Sequence, residues 1–351
     1  METRPIALSL VSLARDMRIG LVVVGPDDDV VAGIEGFFRD SGMPCFAPAR
    51  EAAEPEGSKT FAKDFMKRHG IPTAAQRLGG WQGRHPPPAY EALDDIMVKA
   101  RFDSAGSSVV IEEFMEGEEI SILTFSDGKT TKTLPPGQDH IRIFEGNTGP
   151  YTGGMGVYAP TPFNSAKYLA GIEDKILQPT FAGLRDEERA FKGMLFTGVM
   201  MTRTGPKVLE YDVRFGDPET QTMMLLLAED VDLASVLFAY TLGTLDSITL
   251  AVRPGYACNV VVASGGYPGT HETGNPITIE SVPHGQQIFH AGTRLVDERL
   301  ETAGGRILSV AALGAALEDA VNSAYKGIEG VRFKGMYYRK DIAGRWKSHA
   351  L

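Results

Sequence analysis

Along the N-terminal part of the chain, short apolar runs alternate with amphipathic stretches. Residues 6–18 have helical spacing, and Ile19–Gly25 form a continuous apolar run that predicts a buried parallel strand. Helical spacing returns at Val30–Ser41, and a second short strand is predicted at Pro44–Ala47. This alternation is typical of a doubly wound α/β sheet.

The pattern stops between Ala75 and Tyr90. Just before this gap, Thr60–His69 are predicted to form a helix with Ser58 as its N-cap. Residues 76–89, QRLGGWQGRHPPPA, then bring three glycines and three consecutive prolines. Because proline cannot donate a backbone hydrogen bond, we expect an irregular, mobile connection here.

Beyond Tyr90 the alternation resumes and later changes character. An antiparallel hairpin is predicted around Asp127–Gly128, and the region after Pro254 has short strands separated by Gly-Pro turns, which predicts a small α+β domain. The predicted helices are 91–99, 166–189, 221–241 and 312–329, and the predicted strands are 109–114, 119–125, 130–134, 196–202, 206–211 and 335–339.

Composition limits the class of protein. The 351 residues are 43% hydrophobic, enough for more than one core, and the formal net charge is -10. We expect no nucleic-acid partner because of this charge, and no membrane partner because no apolar run approaches the roughly 20 residues of a membrane span. Cys45 and Cys258 stand in apolar surroundings, so we predict buried free thiols and a reducing, cytoplasmic location.

Two carboxylates with a spacing of two residues stand in the segment VLEYDVRFGDPE. On a strand, Glu210 and Asp212 point to the same face, so both are aimed at one point. Mg²⁺ binds such oxygen ligands together with nucleotide phosphates, whereas a solvated strand edge is the simpler alternative. Arg214, a bidentate partner for carboxylate or phosphate, and Asp217 follow closely, which favours a functional site.

A second acidic segment, VVIEEFMEGEEI at residues 109–120, joins two predicted strands. The connection between the strands could be a hinge whose backbone groups form hydrogen bonds with the edge of an adenine. A carboxylate would then accept hydrogen bonds from the ribose hydroxyls. An acidic hairpin turn explains the pattern equally well, and both interpretations stay open at this point.

Residues 145–156, EGNTGPYTGGMG, contain five glycines. Glycine lets backbone amides approach an anion closely, so the loop is a candidate phosphate cradle, and a flexible connection is the alternative. The loop matches no Walker or dinucleotide-binding fingerprint. We find no pair of histidines at metal-ligand spacing and no neighbour that would activate either cysteine.

Six segments together carry a family resemblance: EGSKTFAKDFMKRHGIPTA, GNTGPYTGGMG, VLEYDVRFGDPETQ, ASGGYPGTHETGNPI, FHAGT and TAGGRILSV. Through them the chain resembles the phosphoribosylamine–glycine ligase family, also called glycinamide ribonucleotide synthetase. The resemblance extends over residues 7–75 and 90–345.

The resemblance implies an ATP-grasp fold, in which the nucleotide lies between two antiparallel sheets. The implied cofactors are ATP and Mg²⁺ (or Mn²⁺). The implied substrates are glycine and 5-phosphoribosylamine, joined through a glycyl phosphate to give glycinamide ribonucleotide, ADP and phosphate. This is a step of purine synthesis, and the chain could belong to a multifunctional purine-synthesis protein. The implied domains are a truncated N-terminal doubly wound domain at 1–55, an ATP-grasp domain at 56–250 and an α+β domain at 251–351.

The resemblance also assigns roles to individual residues. Glu210 and Asp212 take the metal positions, although the family usually has Asn in place of Asp212. Arg214 and Asp217 are the implied catalytic residues. The implied nucleotide-binding residues, which include the hinge, are Lys59, Lys63, Glu112, Glu113, Phe114, Met115 and Glu119. The implied substrate-binding residues are Gly149, Thr152, Gly153, Gly154, Met155, Gly156, Arg214 and Asp217.

The chain departs from the family pattern in two places. The family opens with a strand and a GGGGREHA-type phosphate loop, and this chain begins after them. Between Ala75 and Tyr90 the family has a strand with a nucleotide-binding lysine and a glycine-rich flap, whereas this chain has a segment that reads like translated intron or misjoined exon sequence. We therefore predict little or no glycinamide ribonucleotide synthesis. The alternative to an active ligase is an inactive remnant that binds at most a nucleotide or a partner.

Overall fold

The computed structural model describes residues 3–80, 96–97, 108–161, 166–280 and 285–344. None of the helices in these ranges is long and apolar enough to cross a membrane. A π-helical turn at Glu173–Leu177 joins α6 to α7. The helices are α1 (Thr3–Asp16), α2 (Asp27–Val31), α3 (Ile34–Asp40), α4 (Glu54–Gly57), α5 (Lys59–Arg68), α6 (Ala166–Ile172), α7 (Gln178–Asp186), α8 (Glu219–Leu225), α9 (Leu233–Leu242) and α10 (Leu317–Ile328).

The strands of the same ranges are mostly short. They are β1 (Val22–Val23), β2 (Cys45–Phe46), β3 (Gln76–Gly80), β4 (Ile96–Met97), β5 (Ser108–Glu113), β6 (Glu118–Asp127), β7 (Thr131–Thr133), β8 (Gln138–Asp139), β9 (Arg142–Phe144), β10 (Thr148–Tyr151), β11 (Gly156–Ala159), β12 (Lys192–Thr202), β13 (Gly205–Asp212), β14 (Tyr256–Ser264), β15 (Thr278–Ile279), β16 (Gln286–His290), β17 (Thr293–Val296), β18 (Arg299–Thr302), β19 (Arg306–Gly314), β20 (Val331–Arg332) and β21 (Met336–Tyr337).

Packing divides the chain into two units, and each unit is assembled from three separate segments. Unit 1 consists of Met1–Thr133, Ser165–Phe215 and Asp232–Thr249. Unit 2 consists of Leu134–Asn164, Gly216–Val231 and Leu250–Leu351. The division into three consecutive domains with boundaries near 55 and 250 stays a prediction.

Unit 1 contains an antiparallel sheet in the order β13-β12-β6-β7 and a second antiparallel sheet in the order β3-β5-β4. The central strands β6 and β12 are almost wholly buried, because apolar residues stand on both of their faces. Phe46 of β2 contacts the rings of Phe125, Phe215 and Tyr240 in this core. The predicted hairpin around Asp127–Gly128 is confirmed by the pairing of β6 with β7.

The N-terminal elements are shorter than the sequence predicts. The parallel pairing of β1 with β2 is confirmed, but the seven-residue strand Ile19–Gly25 is reduced to Val22–Val23. Within the described residues β1 has only β2 beside it, and Val23 is 46% exposed, so the expected burial is wrong. The single helix Val30–Ser41 is also wrong, because Gly33, at a φ of 83°, separates α2 from α3.

Two predictions around the interrupted segment are wrong in part. Gln76–Gly80 form β3, paired antiparallel with β5, although we expected no regular structure from residue 76 onward. Glycine keeps its backbone donor, and the prolines that cannot donate come only later, at 86–88. Residues 81–89 lie outside the described ranges. Ile96–Met97 pair with β5 as strand β4, which contradicts the predicted helix 91–99 at these two residues.

Unit 2 is built on a sheet with the strand order β16-β19-β14-β11-β8, to which β21 adds at β14. Helix α10 packs against β14 and β19, and its Ala320 and Ala324 belong to the same buried core as Val260 and Val310. The predicted helical start at Ala312 is wrong, since β19 continues to Gly314 and α10 begins at Leu317. Pairing with β14 outweighs the helix propensity of the alanines in this stretch.

Candidate active site

A cleft of unit 1 lies between helices α4 and α5 and strand β13. Its lining includes Glu56, Lys59, Lys63, Glu210 and Asp212. Helix α5 begins where Ser58 caps it, because the Ser58 hydroxyl accepts the amide of Phe61. This cap places Lys59 and Lys63 of α5 beside the end of β13.

Strand β13 presents its two carboxylates to the cleft after a β-bulge. Gly198 of β12 lies opposite Glu210 and the next residue, Val199, lies opposite Val208, so Leu209 is an extra residue. Tyr211 is buried between the two acids, and its hydroxyl shares a hydrogen bond of 2.7 Å with Thr180. Normal alternation after the bulge therefore gives Glu210 and Asp212 the common face that their spacing predicts.

The two lysines of α5 that line the cleft are held differently. Lys59 Nζ lies 3.0 Å from Glu210 Oε2 and is partly exposed. Lys63 is 2% exposed, and its Nζ donates to Thr73 Oγ1 at 2.7 Å and to the Leu209 carbonyl at 3.2 Å. Lys63 also forms an ion pair with Glu112. Lys59 is thus the more accessible of the two cations. Lys63 joins α5 to β13 through its hydrogen bond and to the end of β5 through its ion pair.

Glu56 is an additional acid of the cleft. Burial, followed by the negative charge of Asp212, raises the pKa of Glu56 from 4.5 to about 7, against the effects of its hydrogen bond from the Val213 amide and of the positive Arg214. The Val213 amide donates to Glu56 Oε2 at 2.7 Å, and Arg214 Nε lies 3.2 Å from Glu56 Oε1. Arg214 therefore acts within unit 1 as the partner of Glu56.

The acidic segment between β5 and β6 connects two different sheets. Strand β5 pairs with β3 and β4, and β6 pairs with β7 and β12, so the hairpin alternative is wrong. Glu113 accepts the Ala75 amide and lies 3.1 Å from Lys207 Nζ, and these hydrogen bonds lower its pKa. Phe114 is 50% exposed in the connection. This position suits an adenine hinge, which stays a prediction for Glu112–Met115 and Glu119.

The carboxylates of the cleft fit the chemistry of a magnesium ion. Glu210 and Asp212 offer hard oxygen ligands, and the pKa of Glu56 is raised first by burial and then by the negative charge of Asp212. Across the described residues, no group of three or more His, Cys, Asp or Glu side chains is arranged to hold a metal ion. Nucleotide phosphates and water would therefore supply the remaining ligands.

In unit 2 the glycine-rich segment forms a turn whose amides are already used. Four amides donate within the unit: Thr152 to the Ile141 carbonyl, Gly153 to Tyr267 Oη, Gly154 to Thr152 Oγ1 and Met155 to the His140 carbonyl. The hypothesis of an amide cradle for phosphate is therefore wrong at residues 152–155, because a donor that is already paired gives little to an anion.

Glycine is nevertheless required in this turn for steric reasons. Gly154 has a φ of 107°, and a Cβ there would lie 2.4 Å from Pro218 Cδ and 2.8 Å from Asp139 Oδ2. A Cβ on Gly149 would lie 2.4 Å from Phe144 Cδ2. At Gly156 it would lie 2.7 Å from the Asn259 carbonyl, and Met155 beside it is fully buried. The turn is therefore a close-packed piece of unit 2 rather than a flexible connection.

Asp217 of unit 2 lies beside this turn and is held by Arg306. The Arg306 guanidinium donates to the Asp217 carbonyl at 2.7 Å and to Asp217 Oδ2 at 3.0 Å. The same group donates to the Gly153 carbonyl at 2.6 Å. Asp217 Oδ1 accepts from Gln221 Nε2 at 2.9 Å. The structure thus brings Asp217 and Gly153 together through a residue to which the sequence assigned no role.

Comparison with known proteins identifies the family. Phosphoribosylglycinamide synthetase models match the chain at residues 2–56 (N domain), 84–220 (ATP-grasp domain) and 257–345 (C domain). Phosphoribosylamine–glycine ligase from Chlorobaculum tepidum is 37% identical, over 96% of this chain and 87% of that protein. The chain belongs to the phosphoribosylamine–glycine ligase family. It therefore has the ATP-grasp fold that the resemblance implies, and its relatives are carbon–nitrogen ligases of purine biosynthesis.

Other relatives differ in length from this chain. The bifunctional purine biosynthetic protein ADE1 of Schizosaccharomyces pombe is 47% identical over 97% of this chain, which spans only 46% of that protein. The crystal structure of phosphoribosylamine–glycine ligase from Thermotoga maritima matches with a TM-score of 0.74 at 32% identity, over 85% of this chain and 82% of that one. The alignment with the S. pombe protein extends over 372 residues, more than the 351 of this chain, so that relative has residues that this family member lacks.

Sequence reasoning gave no role to two charged residues of this ligase-family chain. Glu56 opens the segment EGSKTFAKDF, and Arg306 stands in TAGGRILSV, so both lie inside segments that carry the resemblance. Their charge, at positions inside these segments, is the sequence signal that could have identified both as candidate site residues. Neither local pattern could show that Glu56 would lie beside Asp212 and pair with Arg214, or that Arg306 would pair with Asp217.

Proposed function

We propose that this chain carries the binding sites of an ATP-dependent ligase that joins 5-phosphoribosylamine to glycine. The observation that carries the proposal is the cleft in which Glu210, Asp212 and Lys59 meet at the end of β13. Oxygen ligands for Mg²⁺ and a cation for phosphate are the groups that phosphoryl transfer from ATP needs. Membership of the ligase family supports the same reaction.

Three side chains of the cleft have a direct role in this proposal. Glu210 and Asp212 hold Mg²⁺, which would neutralise charge on the nucleotide phosphates. Lys59, whose Nζ is paired with Glu210 in the structure, would bind a phosphate oxygen of the nucleotide. The hinge at Glu112–Met115 binds adenine, and the Glu119 carboxylate accepts hydrogen bonds from the ribose hydroxyls.

The reaction then consists of two transfers. The carboxylate of glycine attacks the γ-phosphorus of ATP, which forms glycyl phosphate and expels ADP. The amine of 5-phosphoribosylamine attacks the glycyl carbonyl, which forms the amide bond, expels phosphate and loses a proton. We assign the binding pocket for glycine and 5-phosphoribosylamine to unit 2, at Asp217 and the turn around Gly153. We assign a catalytic role in unit 1 to Arg214.

A second candidate is an inactive remnant that retains binding. It is favoured by the 372-residue alignment, because the family relative has residues that this chain lacks. It is favoured also by QRLGGWQGRHPPPA, which stands where the family has its lysine and flap. Phosphoryl transfer needs positive charge and closure over the phosphates, whereas weak nucleotide binding can persist without them.

One experiment separates the two candidates. ADP release that depends on both glycine and 5-phosphoribosylamine is measured for this chain and for a version with the family's strand and flap restored. We expect Mg·ADP binding by both proteins and far slower turnover by this chain. Comparable turnover would show that another lysine, such as Lys59, is sufficient, and the remnant candidate would be abandoned.

The setting of the protein is part of the proposal. Bifunctional relatives such as the S. pombe protein support a place within a multifunctional protein, although the C. tepidum relative has a single activity in its name. Cys45 and Cys258 are free and buried, which supports the predicted reducing cytoplasm.

A further inference from the structure

Arg306 connects two parts of unit 2 that are distant in sequence. It is the first residue of β19, and its side chain is 21% exposed. Its guanidinium reaches the Gly153 carbonyl at 2.6 Å, the Asp217 carbonyl at 2.7 Å and Asp217 Oδ2 at 3.0 Å. A planar fork of donors is suited to such a task, because one side chain can fix several acceptors at set angles.

The contacts of Arg306 fix the direction of the Gly153 turn. The carbonyl of Gly153 faces the guanidinium, and the amide of the same residue donates to Tyr267 Oη at 3.1 Å. A Cβ on Gly153 would lie 3.0 Å from Arg306 Cζ, so glycine lets the two groups approach closely. The turn is therefore held from both sides by residues of the C-terminal segment.

The carboxylate of Asp217 is oriented by two neighbours and remains accessible. Arg306 holds Oδ2, Gln221 holds Oδ1 at 2.9 Å, and the side chain is 50% exposed. A fixed and accessible carboxylate is an acceptor for the N–H groups of an amine. Its negative charge disfavours the phosphate end of a ribosyl phosphate.

We propose that Arg306 is a positioning residue that aims Asp217, together with the Gly153 turn, at the α-amino group of the glycyl unit, which glycine and glycinamide ribonucleotide share. The inference rests on the proposed function, and it adds both the residue that sets the pocket and the substrate group that the pocket recognises. Arg306 acts through Asp217 and does not itself touch the substrate. Glycine and glycinamide ribonucleotide both offer an amino group, so binding of each one is measured separately.

The test is the affinity of purified full-length variants for glycinamide ribonucleotide, glycine, ribose 5-phosphate and Mg·ADP by calorimetry. We expect R306A to weaken glycinamide ribonucleotide binding about tenfold or more, because charged hydrogen bonds that orient Asp217 are lost. Affinity for ribose 5-phosphate, which has no amino group, and for Mg·ADP stays as in the wild type. R306K keeps the charge without the fork, and its affinity should lie between those of wild type and R306A. The exposed R299A is the matched control.

A double variant separates positioning from general stabilisation. If Arg306 acts through Asp217, R306A in a D217N background causes a much smaller loss of glycinamide ribonucleotide binding than in the wild type. Equal losses in both backgrounds, or an R306A variant that binds like wild type, would overturn the inference. So would an equal weakening of all four ligands together with a lowered melting temperature.

The outcomes also separate the inference from the function on which it rests. A wild-type chain that binds neither glycine nor glycinamide ribonucleotide would overturn the proposed function, and the inference with it. A wild type that binds them, beside an R306A variant with unchanged affinities, would overturn the inference alone. If only glycine binding responds to R306A, the amino group recognised is that of glycine. If only glycinamide ribonucleotide responds, recognition requires the ribosyl-linked ligand.

Discussion

At the scale of single residues, the carboxyl group of Glu56 in the cleft of unit 1 makes the stability of the fold depend on pH. Its pKa of about 7 lies above the ordinary 4.5 because of burial and of Asp212, while Arg214 acts in the opposite direction and Asp27 adds a further negative charge. Between pH 4.5 and about pH 7, Glu56 is therefore protonated in the folded chain and ionised in the unfolded chain. Stability from this group is present below pH 4.5 and is lost as the pH rises through 7.

We expect E56Q to remove this pH dependence. Without divalent metal, E56Q should be more stable than wild type at pH 8 by up to about 3 kcal/mol, with a smaller difference at pH 5. Urea unfolding at the two pH values measures the difference, and E54Q, a more exposed acid of the same helix, is the control. A constant difference between wild type and E56Q at both pH values would show that Glu56 does not titrate in this range.

Gly154 is a residue of the glycine-rich turn of unit 2 at which a side chain has no room. Alanine there meets Pro218 and Asp139 in addition to an unfavourable positive φ, so G154A should destabilise the protein by about 2–4 kcal/mol. G146A is the matched control, because Gly146 also has a positive φ but no heavy atom within 4 Å of the added Cβ. Chemical denaturation of both variants measures the steric part. Equal losses would mean that only the backbone conformation matters.

At the scale of elements, Lys63 joins α5 to β13 and to the end of β5. Its ammonium is buried with three acceptors: the Glu112 carboxylate, Thr73 Oγ1 and the carbonyl of the bulged Leu209. We expect K63M to cost about 3–5 kcal/mol in unfolding free energy, because Glu112 would be left without its buried cation. K67M, at an exposed position of the same helix, should change stability by less than about 0.5 kcal/mol.

The same substitution should also affect metal binding. If Lys63 holds the bulge that aims Glu210 and Asp212, K63M lowers the affinity for Mn²⁺ in the presence of ADP more than the affinity for ADP alone. Electron paramagnetic resonance of Mn²⁺ measures the first quantity and calorimetry the second. Equal losses of both affinities would show that Lys63 contributes to stability only.

The elements also show what a sequence can predict and what it cannot. Helix α5, with its Ser58 cap, and the pairing of β6 with β7 follow from residues that are close in sequence. The end of β19 does not, because Ala311 and Ala312 take the strand conformation through pairing with β14, about 50 residues away, and with β16. Likewise, the spacing of Glu210 and Asp212 predicted a shared face, whereas Arg306 reaches Asp217 across 89 residues of chain.

At the scale of the whole molecule, the two units do not correspond to consecutive pieces of sequence. Strand β14 lies between β11 and β19 in the sheet of unit 2, and β11 comes from a much earlier segment. A fragment of residues 1–250 would therefore contain β8 and β11 without β14. We expect trypsin to cleave this fragment after Arg142 faster than it cleaves the full chain there, because the strands near Arg142 would lack β14. Equal protection would support an autonomous domain that ends near 250.

The late position of β19 has a consequence for synthesis on the ribosome. Strand β11 is complete at Ala159, yet the central sheet of unit 2 has to wait for β14 and for β19, which ends at Gly314. At translation rates of about 5–20 residues per second, the nascent chain would hold apolar strands with open edges for roughly 8–30 seconds. Such edges can pair with other nascent chains. The yield of folded protein in a cell should therefore depend on the chaperones that bind emerging chains and on the speed of elongation.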